Sequence, residues 1–322
     1  MEIIYGCGTG IGGLSGISGV RGESGTAVAL GFFDGVHNGH RKLLCELKKA
    51  ADNAGLRSVV YTFVNHPSSV TGRNVKLICP NDLKAEYIAE AGIDCLVFDW
   101  FDRKFSMMTP EEFVRNVLIE SLGAKIVAAG ENYSFGRGGA GKSSDLESLG
   151  KKYGFGTLIV PKLECEINGR KTAVSSSLLR ELIGKGRMEE YKRLTGRNFT
   201  VEGIVCGGRE VGRSLGFPTA NIYPDGRSVI PERGVYATVS YVSALPGIAF
   251  KSITNVGKNP TFGSTGVPVS IETNLLDYNG SLYGSRLRIE MIGKLRDEIR
   301  FSGPEALRAQ IAADAEKRRQ LQ

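Results

Sequence analysis

The feature that most constrains the fold is a change in the spacing of apolar residues near residue 198. Before this point, short apolar runs alternate with stretches whose apolar residues recur at helical spacing. After it, from Phe199 to Met291, short alternating or β-branched runs are broken by Gly, Pro and Asn, with no long helical pattern. The sequence therefore predicts two domains, which its 322 residues also favour. We place the boundary within residues 184–198 and assign residues 1–186 and 187–322 to the two domains.

The first domain is predicted to be α/β, with a doubly wound parallel sheet covered by helices on both faces. One helix carries Leu43, Leu44 and Leu47 and ends near Gly55. A second is capped by Asn81 or Asp82, and a third begins at the capping box 109–112 and runs to about residue 121. The predicted strands are 27–30, 59–64, 95–98, 126–129 and 157–160.

The second domain is predicted to be an antiparallel β-barrel followed by a terminal helix. Residues 235–239 and 287–291 show the β-branched or alternating pattern of its strands. Residues 302–305, Ser-Gly-Pro-Glu, predict a capping box at the start of the helix, and Leu307 and Ile311 share one helical face.

Composition narrows the classes of function. The six cysteines are scattered without a CxxC pair, which predicts free thiols in the reducing cytoplasm. We find no signal peptide and no apolar stretch long enough to cross a membrane. The net charge of +7 comes from basic residues interleaved with acids, so we expect neither a nucleic-acid nor a membrane partner. Weak self-association is left open.

Residues 5–25 are rich in Gly and Ser, and residues 8–13 match the pattern GxGxxG by letter. That pattern binds dinucleotides only when a strand precedes it and a helix follows. The glycines that follow disfavour a helix, so we interpret the segment as a flexible or irregular leader.

A first candidate site is the segment 31–40, GFFDGVHNGH, between the first long strand and the first helix. Ligands of open α/β sheets bind at the carboxyl ends of strands, where free N–H groups of a helix favour phosphate. His37 and His40 stand three residues apart, so both rings can donate hydrogen bonds to one anion. A zinc site would need three or four ligands, and no Cys/His cluster of suitable spacing is present.

The HxGH pattern in this context resembles the signature of the nucleotidyltransferase superfamily, and the full string resembles its FMN adenylyltransferase branch. Segments 61–67, 130–136 and 174–180 resemble further motifs of that branch, with Ser177 in place of Thr. The resemblance implies a nucleotidyltransferase domain that uses ATP with Mg²⁺ to convert FMN to FAD. It implies the following roles: His37, His40, Arg180 and Asn132 in catalysis, Gly31, Phe33, Asp34, Gly39, Ser175 and Ser176 in ATP binding, and Asn65 and Asn132 in flavin binding.

A second candidate site is the loop 212–221, in which glycines bracket a segment rich in polar residues. Its backbone, including Gly212, could wrap phosphates. Thr219 and Asn221 offer hard oxygen ligands, which suit Mg²⁺ better than softer metals.

This loop resembles the GRxLGxPTAN motif of riboflavin kinases. Segments 234–237, 255–263, 272–280 and 295–301 resemble later motifs of the same family in the same order. The resemblance implies a kinase that makes FMN from riboflavin and ATP, with Glu272 as general base and Arg296 in flavin binding. Flavins are then substrates and products rather than prosthetic groups.

Three alternatives remain beside this hypothesis. A different HxGH enzyme with an unrelated barrel does not explain segments 212–221 and 272–280. A non-catalytic flavin- or nucleotide-binding module would not need both sets of candidate catalytic residues. A basic nucleic-acid-binding protein would form a salt-sensitive complex and show no turnover.

Overall fold

The structure is a computed structural model that describes residues 1–6, 20–207, 216–224, 226–258 and 269–321, without the side chains of Thr71 and Lys258. The chain divides into two compact units, Met1–Ser176 and Ser177–Gln322. Most of the predicted leader, residues 7–19, lies outside the described residues, so the prediction of an irregular segment stays a prediction.

The first unit is built on a sheet of six parallel strands in the order β1-β4-β3-β2-β5-β8. Its strands are β1 (Glu2–Tyr5), β2 (Thr26–Leu30), β3 (Arg57–Phe63), β4 (Cys95–Asp99), β5 (Ala124–Gly130) and β8 (Gly156–Val160). Two short hairpins complete it: β6 (Ser134–Phe135) with β7 (Gly141–Lys142), and β9 (Glu164–Ile167) with β10 (Arg170–Ala173). The helices are α1 (Asn38–Ala54), α2 (Asn81–Ala89), α3 (Arg103–Ser106), α4 (Pro110–Glu112) and α5 (Ser143–Tyr153), with 3-10 helices at Pro67–Thr71 and Arg137–Gly139.

The parallel sheet and its five predicted strands are confirmed, whereas β1 was not predicted. β1 pairs with β4 from Glu2↔Cys95 to Tyr5↔Phe98 and forms one edge of the sheet. Ile3 and Tyr5 are exposed, so this edge strand lacks the continuous burial that makes central parallel strands recognisable.

Burial on both faces explains the sequence of the central strands. All five residues of β2 are buried, and separate apolar clusters cover the two faces of the sheet. Helix α1 contributes Leu43, Leu44 and Leu47 to one cluster, and Gly55 in the left-handed conformation (φ 63°) ends the helix. The predicted position and end of this helix are therefore confirmed.

The helix caps agree with prediction only in part. Thr109 and Glu112 form the predicted capping box, but from Phe113 to Ser121 the helix continues as a π-helix. The prediction that Asn81 or Asp82 caps α2 is wrong, because Pro80 holds the cap position and Asn81 is the first helical residue. The Asn81 amide instead donates to the Val64 carbonyl (3.0 Å), a long-range partner that local sequence does not reveal.

The second unit is an antiparallel sheet of six strands in the order β11-β16-β13-β14-β15-β12. An isolated bridge between Cys206 and Asn221 links the end of β11 to β12, so the sheet curls towards closure as predicted for a barrel. Its strands are β11 (Phe199–Ile204), β12 (Ala220–Ile222), β13 (Gly234–Val242), β14 (Phe250–Lys258), β15 (Val269–Leu275) and β16 (Arg286–Arg296). The described helices are α6 (Ser176–Gly184), which begins on the last residue of the first unit, α7 (Met188–Thr195) and α8 (Pro304–Gln320).

Helix α8 confirms the predicted terminal helix but not its predicted cap. Gly303 occupies the cap position and no side chain caps the helix, so the predicted capping box at residues 302–305 is wrong. Near the other end, the buried Arg318 guanidinium donates to the Thr238 carbonyl of β13 (2.9 Å). The ammonium of Lys251 in β14 donates to the Leu321 carbonyl (2.9 Å). These long-range bonds hold the end of the helix against the barrel.

Buried hydroxyls connect the strands of the barrel. The Thr238 hydroxyl forms hydrogen bonds with the hydroxyls of Ser252 (2.8 Å) and Thr254 (2.8 Å). Ser252 is bonded in turn to Ser240, and Thr254 to Thr273. All five residues are fully buried, and each hydroxyl satisfies its neighbour, which avoids the cost of leaving a buried polar group unpaired.

We predict that Gly234→Ala destabilises the second unit by roughly 1–3 kcal/mol. Gly234 has φ 145°, and an added Cβ would lie 2.5 Å from the Arg296 carbonyl oxygen, where β13 meets β16. Hydrogen exchange of the β13 and β16 amides would measure the loss. Gly184→Ala is the control, because its Cβ meets nothing within 4 Å and alanine favours the helix. Unchanged exchange in Gly234→Ala would contradict the prediction.

Candidate functional sites

The two histidines of the first site lie stacked at the start of α1. His37 is the N-cap residue of the helix, and its Nδ1 accepts a hydrogen bond from the backbone N–H of His40 (3.2 Å). The two ring centroids lie 3.7 Å apart and the ring planes differ by 13°. The preceding turn is tight, since Phe33 and Val36 have positive φ angles of 55° and 34°.

Burial keeps both imidazoles neutral near pH 7. It lowers the pKa of His37 to about 4. It also holds the pKa of His40 well below its usual value, and the charges of His37 and Lys84 lower it further. Because Nδ1 of His37 already accepts a backbone N–H, the proton of its neutral ring is on Nε2. His37 is therefore a neutral hydrogen-bond donor that can face an anion.

The histidines line a cleft of about 560 Å³ at the carboxyl ends of the parallel strands. The strand order explains its position, since β2 pairs with β5 and β5 pairs with β8, so the segments that follow these strands meet. Eight of the predicted site residues line the cleft: Gly31, Phe33, His37, Gly39, His40, Asn132, Ser175 and Ser176.

Asp34 lies outside the residues that line this cleft. Its side chain is buried, and its carboxylate accepts hydrogen bonds from the backbone N–H groups of Ile78 (3.0 Å) and Cys79 (3.3 Å). Its backbone carbonyl accepts a bond from the Ser176 hydroxyl (2.8 Å). Asp34 thus joins the histidine turn to two other segments, and its predicted role in ATP binding stays a prediction.

Asn65 is also absent from the cleft lining. Its side-chain amide donates to the Phe101 carbonyl (2.9 Å), and its Oδ1 accepts from the Phe101 N–H (2.9 Å). It therefore ties the segment after β3 to the segment after β4. Arg180 lies on α6 in the second unit, and its catalytic role stays a prediction.

The second site is a cavity of about 280 Å³ within the barrel unit. Strand register creates one wall, because Asn255 pairs with Glu272 across β14 and β15 and with Val235 across β13 and β14. Val235 in turn pairs with Arg296 on β16. Residues directly opposite each other in antiparallel strands share a face, so this row brings the predicted Glu272 and Arg296 to one cavity. Both line it.

Thr219 connects this cavity to a smaller one of about 90 Å³. Thr219 lines both cavities, whereas the buried Asn221 lines only the smaller one. Register pairs Asn221 with Glu272 across β12 and β15, so the predicted metal ligand and the predicted base stand on adjacent strands. Gly212, the remaining predicted phosphate-binding residue, lies outside the described residues.

Helix α8 provides a further part of the cavity wall and holds Arg296. Leu307, Ile311 and Asp314 line the cavity at helical spacing. The Asp314 carboxylate accepts hydrogen bonds from the Arg296 guanidinium at 2.9 Å and 2.8 Å and from the Gln310 amide at 2.9 Å. With only 5% of the Asp314 side chain exposed, this charged pair fixes the orientation of Arg296.

Sequence reasoning missed two residues near these sites. Asp314 continues the stripe of Leu307 and Ile311, so its helical spacing could have revealed it. Lys84 on α2 is buried beside the histidine turn. It precedes the buried Ile88 by four residues, so helical spacing places this lysine on the buried face of the helix, where a charged residue is unusual.

Comparisons with known proteins agree with this division of the chain. A family model described as FAD synthetase matches residues 21–178, and one described as riboflavin kinase matches residues 195–322. Fold and sites thus define the class: an enzyme that joins an α/β nucleotidyltransferase unit to a riboflavin kinase barrel. The chain belongs to the family of bifunctional riboflavin kinases/FMN adenylyltransferases.

Named relatives support this assignment along almost the whole chain. The bifunctional riboflavin kinase/FMN adenylyltransferase of Listeria monocytogenes is 37% identical over 91% of each chain. That of Escherichia coli strain K12 is 34% identical over 91% of each chain. A crystal structure described as a macrolide-efflux protein from Streptococcus pneumoniae covers 100% of both chains with a TM-score of 0.86 and 27% identity. In the described part of this chain, no helix has the length and apolar composition needed to cross a membrane.

We predict that the first unit loses stability as the pH falls from 6.5 to about 4. Unfolded His37 binds a proton below pH 6.5, whereas the folded residue does so only near pH 4, so protonation favours the unfolded chain. The loss should be on the order of 3 kcal/mol for His37 alone. Urea unfolding at several pH values would measure it against His37→Asn, which retains a capping side chain. Identical pH dependence in the two proteins would contradict the prediction.

Proposed function

We propose that the second unit phosphorylates riboflavin to FMN with ATP, and that the first unit adenylylates FMN to FAD with release of pyrophosphate. The observation that carries the proposal is that each unit has a cavity of its own that gathers residues of its own motif. Histidines and serines gather in the first, and Thr219, Glu272 and Arg296 in the second.

In adenylyl transfer, a phosphate oxygen of FMN attacks the α-phosphorus of ATP, and pyrophosphate leaves. The Nε2–H of His37 donates a hydrogen bond to a phosphate oxygen as negative charge develops there, and His40 also stabilises this charge. Ser175 and Ser176 bind phosphates at the start of α6, and Arg180 supplies a permanent charge. The ATP site is formed or supported by Gly31, Phe33, Asp34 and Gly39. The flavin side of the site is formed by Asn65 and Asn132.

In riboflavin phosphorylation, the Glu272 carboxylate accepts the proton of the 5′-hydroxyl while the hydroxyl oxygen attacks the γ-phosphorus of ATP and ADP leaves. Seven apolar side chains give the larger cavity a surface suited to the flavin ring: Phe217, Val235, Ile253, Ile299, Phe301, Leu307 and Ile311. Arg296 borders this surface and binds the flavin. The smaller cavity and the loop with Gly212 hold ATP, and Thr219 stands where the two substrates meet.

Magnesium fits the donors on the kinase side. Thr219 and Asn221 present neutral oxygen donors, and Asn221 is buried beside the nucleotide cavity. Among the described residues, no group of three His, Cys, Asp or Glu side chains could hold a metal ion by itself. Mg²⁺ would therefore be held jointly by these side chains and the ATP phosphates, whose charge it neutralises.

Three further assignments belong to the same proposal. The boundary between the two catalytic domains lies at residues 186/187, between the two family matches and after the division of the compact units at Ser176/Ser177. The protein acts in the cytoplasm, in agreement with the free cysteines of its described residues. Its partners are riboflavin, FMN, FAD and ATP rather than nucleic acid or a membrane. The efflux activity named for one structural neighbour forms no part of this proposal.

The direct test is incubation with riboflavin, ATP and Mg²⁺, followed by chromatographic separation of riboflavin, FMN and FAD. We expect FMN to appear first and FAD to follow. If FMN appears but FAD does not, only the kinase activity is supported. If supplied FMN is converted to FAD but riboflavin is not converted to FMN, only the adenylyltransferase activity is supported. Absence of both products would refute the proposal.

We predict that His40→Ala reduces FAD formation by at least about 100-fold while FMN formation continues at the wild-type rate. The change removes a ring that lines the cleft of the first unit, and the kinase cavity lies wholly within the second. Rates measured with FMN and with riboflavin as separate substrates provide the comparison and its internal control. Parallel loss of both activities would argue against independent sites.

We predict that Glu272→Gln reduces FMN formation by about 10²–10⁴-fold while supplied FMN is still converted to FAD. Glutamine keeps the shape of the side chain but accepts no proton at neutral pH. Glu298→Gln is the matched variant, because it changes the other glutamate that lines the cavity. If Glu298→Gln lost turnover and Glu272→Gln did not, the role of the base would pass to Glu298.

A further inference from the structure

Lys84 on α2 carries a positive charge in the interior of the first unit. Only 1% of the residue is exposed. Its Nζ lies 4.0 Å from the centre of the Phe32 ring and 5.6 Å from that of Phe98. Its ammonium donates a hydrogen bond to the Phe63 carbonyl, at 3.5 Å.

No carboxylate compensates this charge at close range. Among the described residues, none lies within ion-pair distance of the Lys84 ammonium, and charge interactions with Cys79 and, after it, Asp34 raise its pKa. Burial outweighs that effect and lowers the pKa of Lys84. Burying a charge without a partner is costly, and replacing such a group with an apolar one is often neutral or stabilising. Within the fold, the Phe63 carbonyl and the faces of the Phe32 and Phe98 rings are the contacts that offset this cost.

The charge lies directly behind the turn that carries the histidines. Phe32 lines the cleft on one side and packs against the Lys84 ammonium on another. The same ring forms a T-shaped pair with His66, with ring centres 4.7 Å apart. The field of Lys84 reaches His40, since it contributes to the lowered pKa of that residue.

The proposed reaction brings two anions together in this cleft. Burial leaves His37 and His40 neutral, so they add hydrogen bonds but no net charge. Lys162 also lines the cleft, but its ammonium lies 3.3 Å from a carboxylate oxygen of Glu131. Lys84 is thus a buried cation of this unit whose charge is not balanced by a neighbouring carboxylate.

We infer that Lys84 is an electrostatic positioning residue for adenylyl transfer: its fixed charge, held behind the Phe32 ring, lowers the repulsion between the FMN phosphate and the ATP phosphates. A charge in the protein interior is less screened than one at the surface, and it needs no reorganisation when the reactants meet. The inference rests on the proposed function of the first unit. It adds a residue that lies outside the lining of the cleft.

The test compares Lys84→Met, which keeps the length and apolar stem of the side chain, with wild type in the full chain. We expect kcat for FAD formation from FMN to fall on the order of 10–100-fold. We expect the KM for FMN to change by less than about threefold, because the pocket walls remain. The rate of FMN formation from riboflavin and the unfolding midpoint of the first unit should stay at wild-type values.

Two variants complete the test. Lys84→Arg keeps the charge and should remain closer to wild type than Lys84→Met. Lys48→Met removes a lysine of α1 that bonds to Asp52 and Asp94, at the amino-terminal edge of the sheet, and should leave both activities unchanged. Full activity of Lys84→Met would overturn the inference. A lower unfolding midpoint with proportionate loss of activity would also overturn it, since Lys84 would then be structural. If wild type made no FAD, the proposed function itself would fail.

Discussion

Strand pairing is the constraint on which both sites depend. In the first unit, β2 is hydrogen-bonded to β3 on one side and β5 on the other and is buried on both faces. The position of its carboxyl end is therefore fixed. The turn that follows places the two histidines beside the segments that follow β5 and β8. A shift of this strand would move every residue of the turn together.

The barrel applies the same constraint across antiparallel strands. Pairing of Asn255 with Glu272, and of Val235 with both Asn255 and Arg296, assembles one wall of the larger cavity. A slip of one residue would turn these side chains to the other face. The buried hydroxyls that join the strands elsewhere in the sheet make such a slip costly, since their hydrogen bonds would be lost without replacement.

Charges support the two sites in different ways. In the barrel, Asp314 pairs with Arg296, so the guanidinium is held in one orientation at the cavity wall. In the first unit, the stacked histidines are kept neutral by burial, and the charge of Lys84 lies behind an aromatic ring. One unit thus places an oriented ion pair at its cavity wall, and the other places neutral hydrogen-bond donors at its cleft with the Lys84 charge behind an aromatic ring.

Local sequence by itself determined the alternation of strands and helices, the position of the histidine turn and the order of the motifs. These depend on periodicity, glycine and short capping patterns, which act over a few residues. Only the tertiary structure decided that β1 joins the sheet, that Asn81 bonds to Val64 instead of capping α2, and that Asp34 is turned towards residues 78–79. The placement of Lys84 behind Phe32 is of the same kind. In each case the partner is distant in sequence. A hydrogen bond or charge interaction depends on which groups are close in space, and only the folded chain determines that.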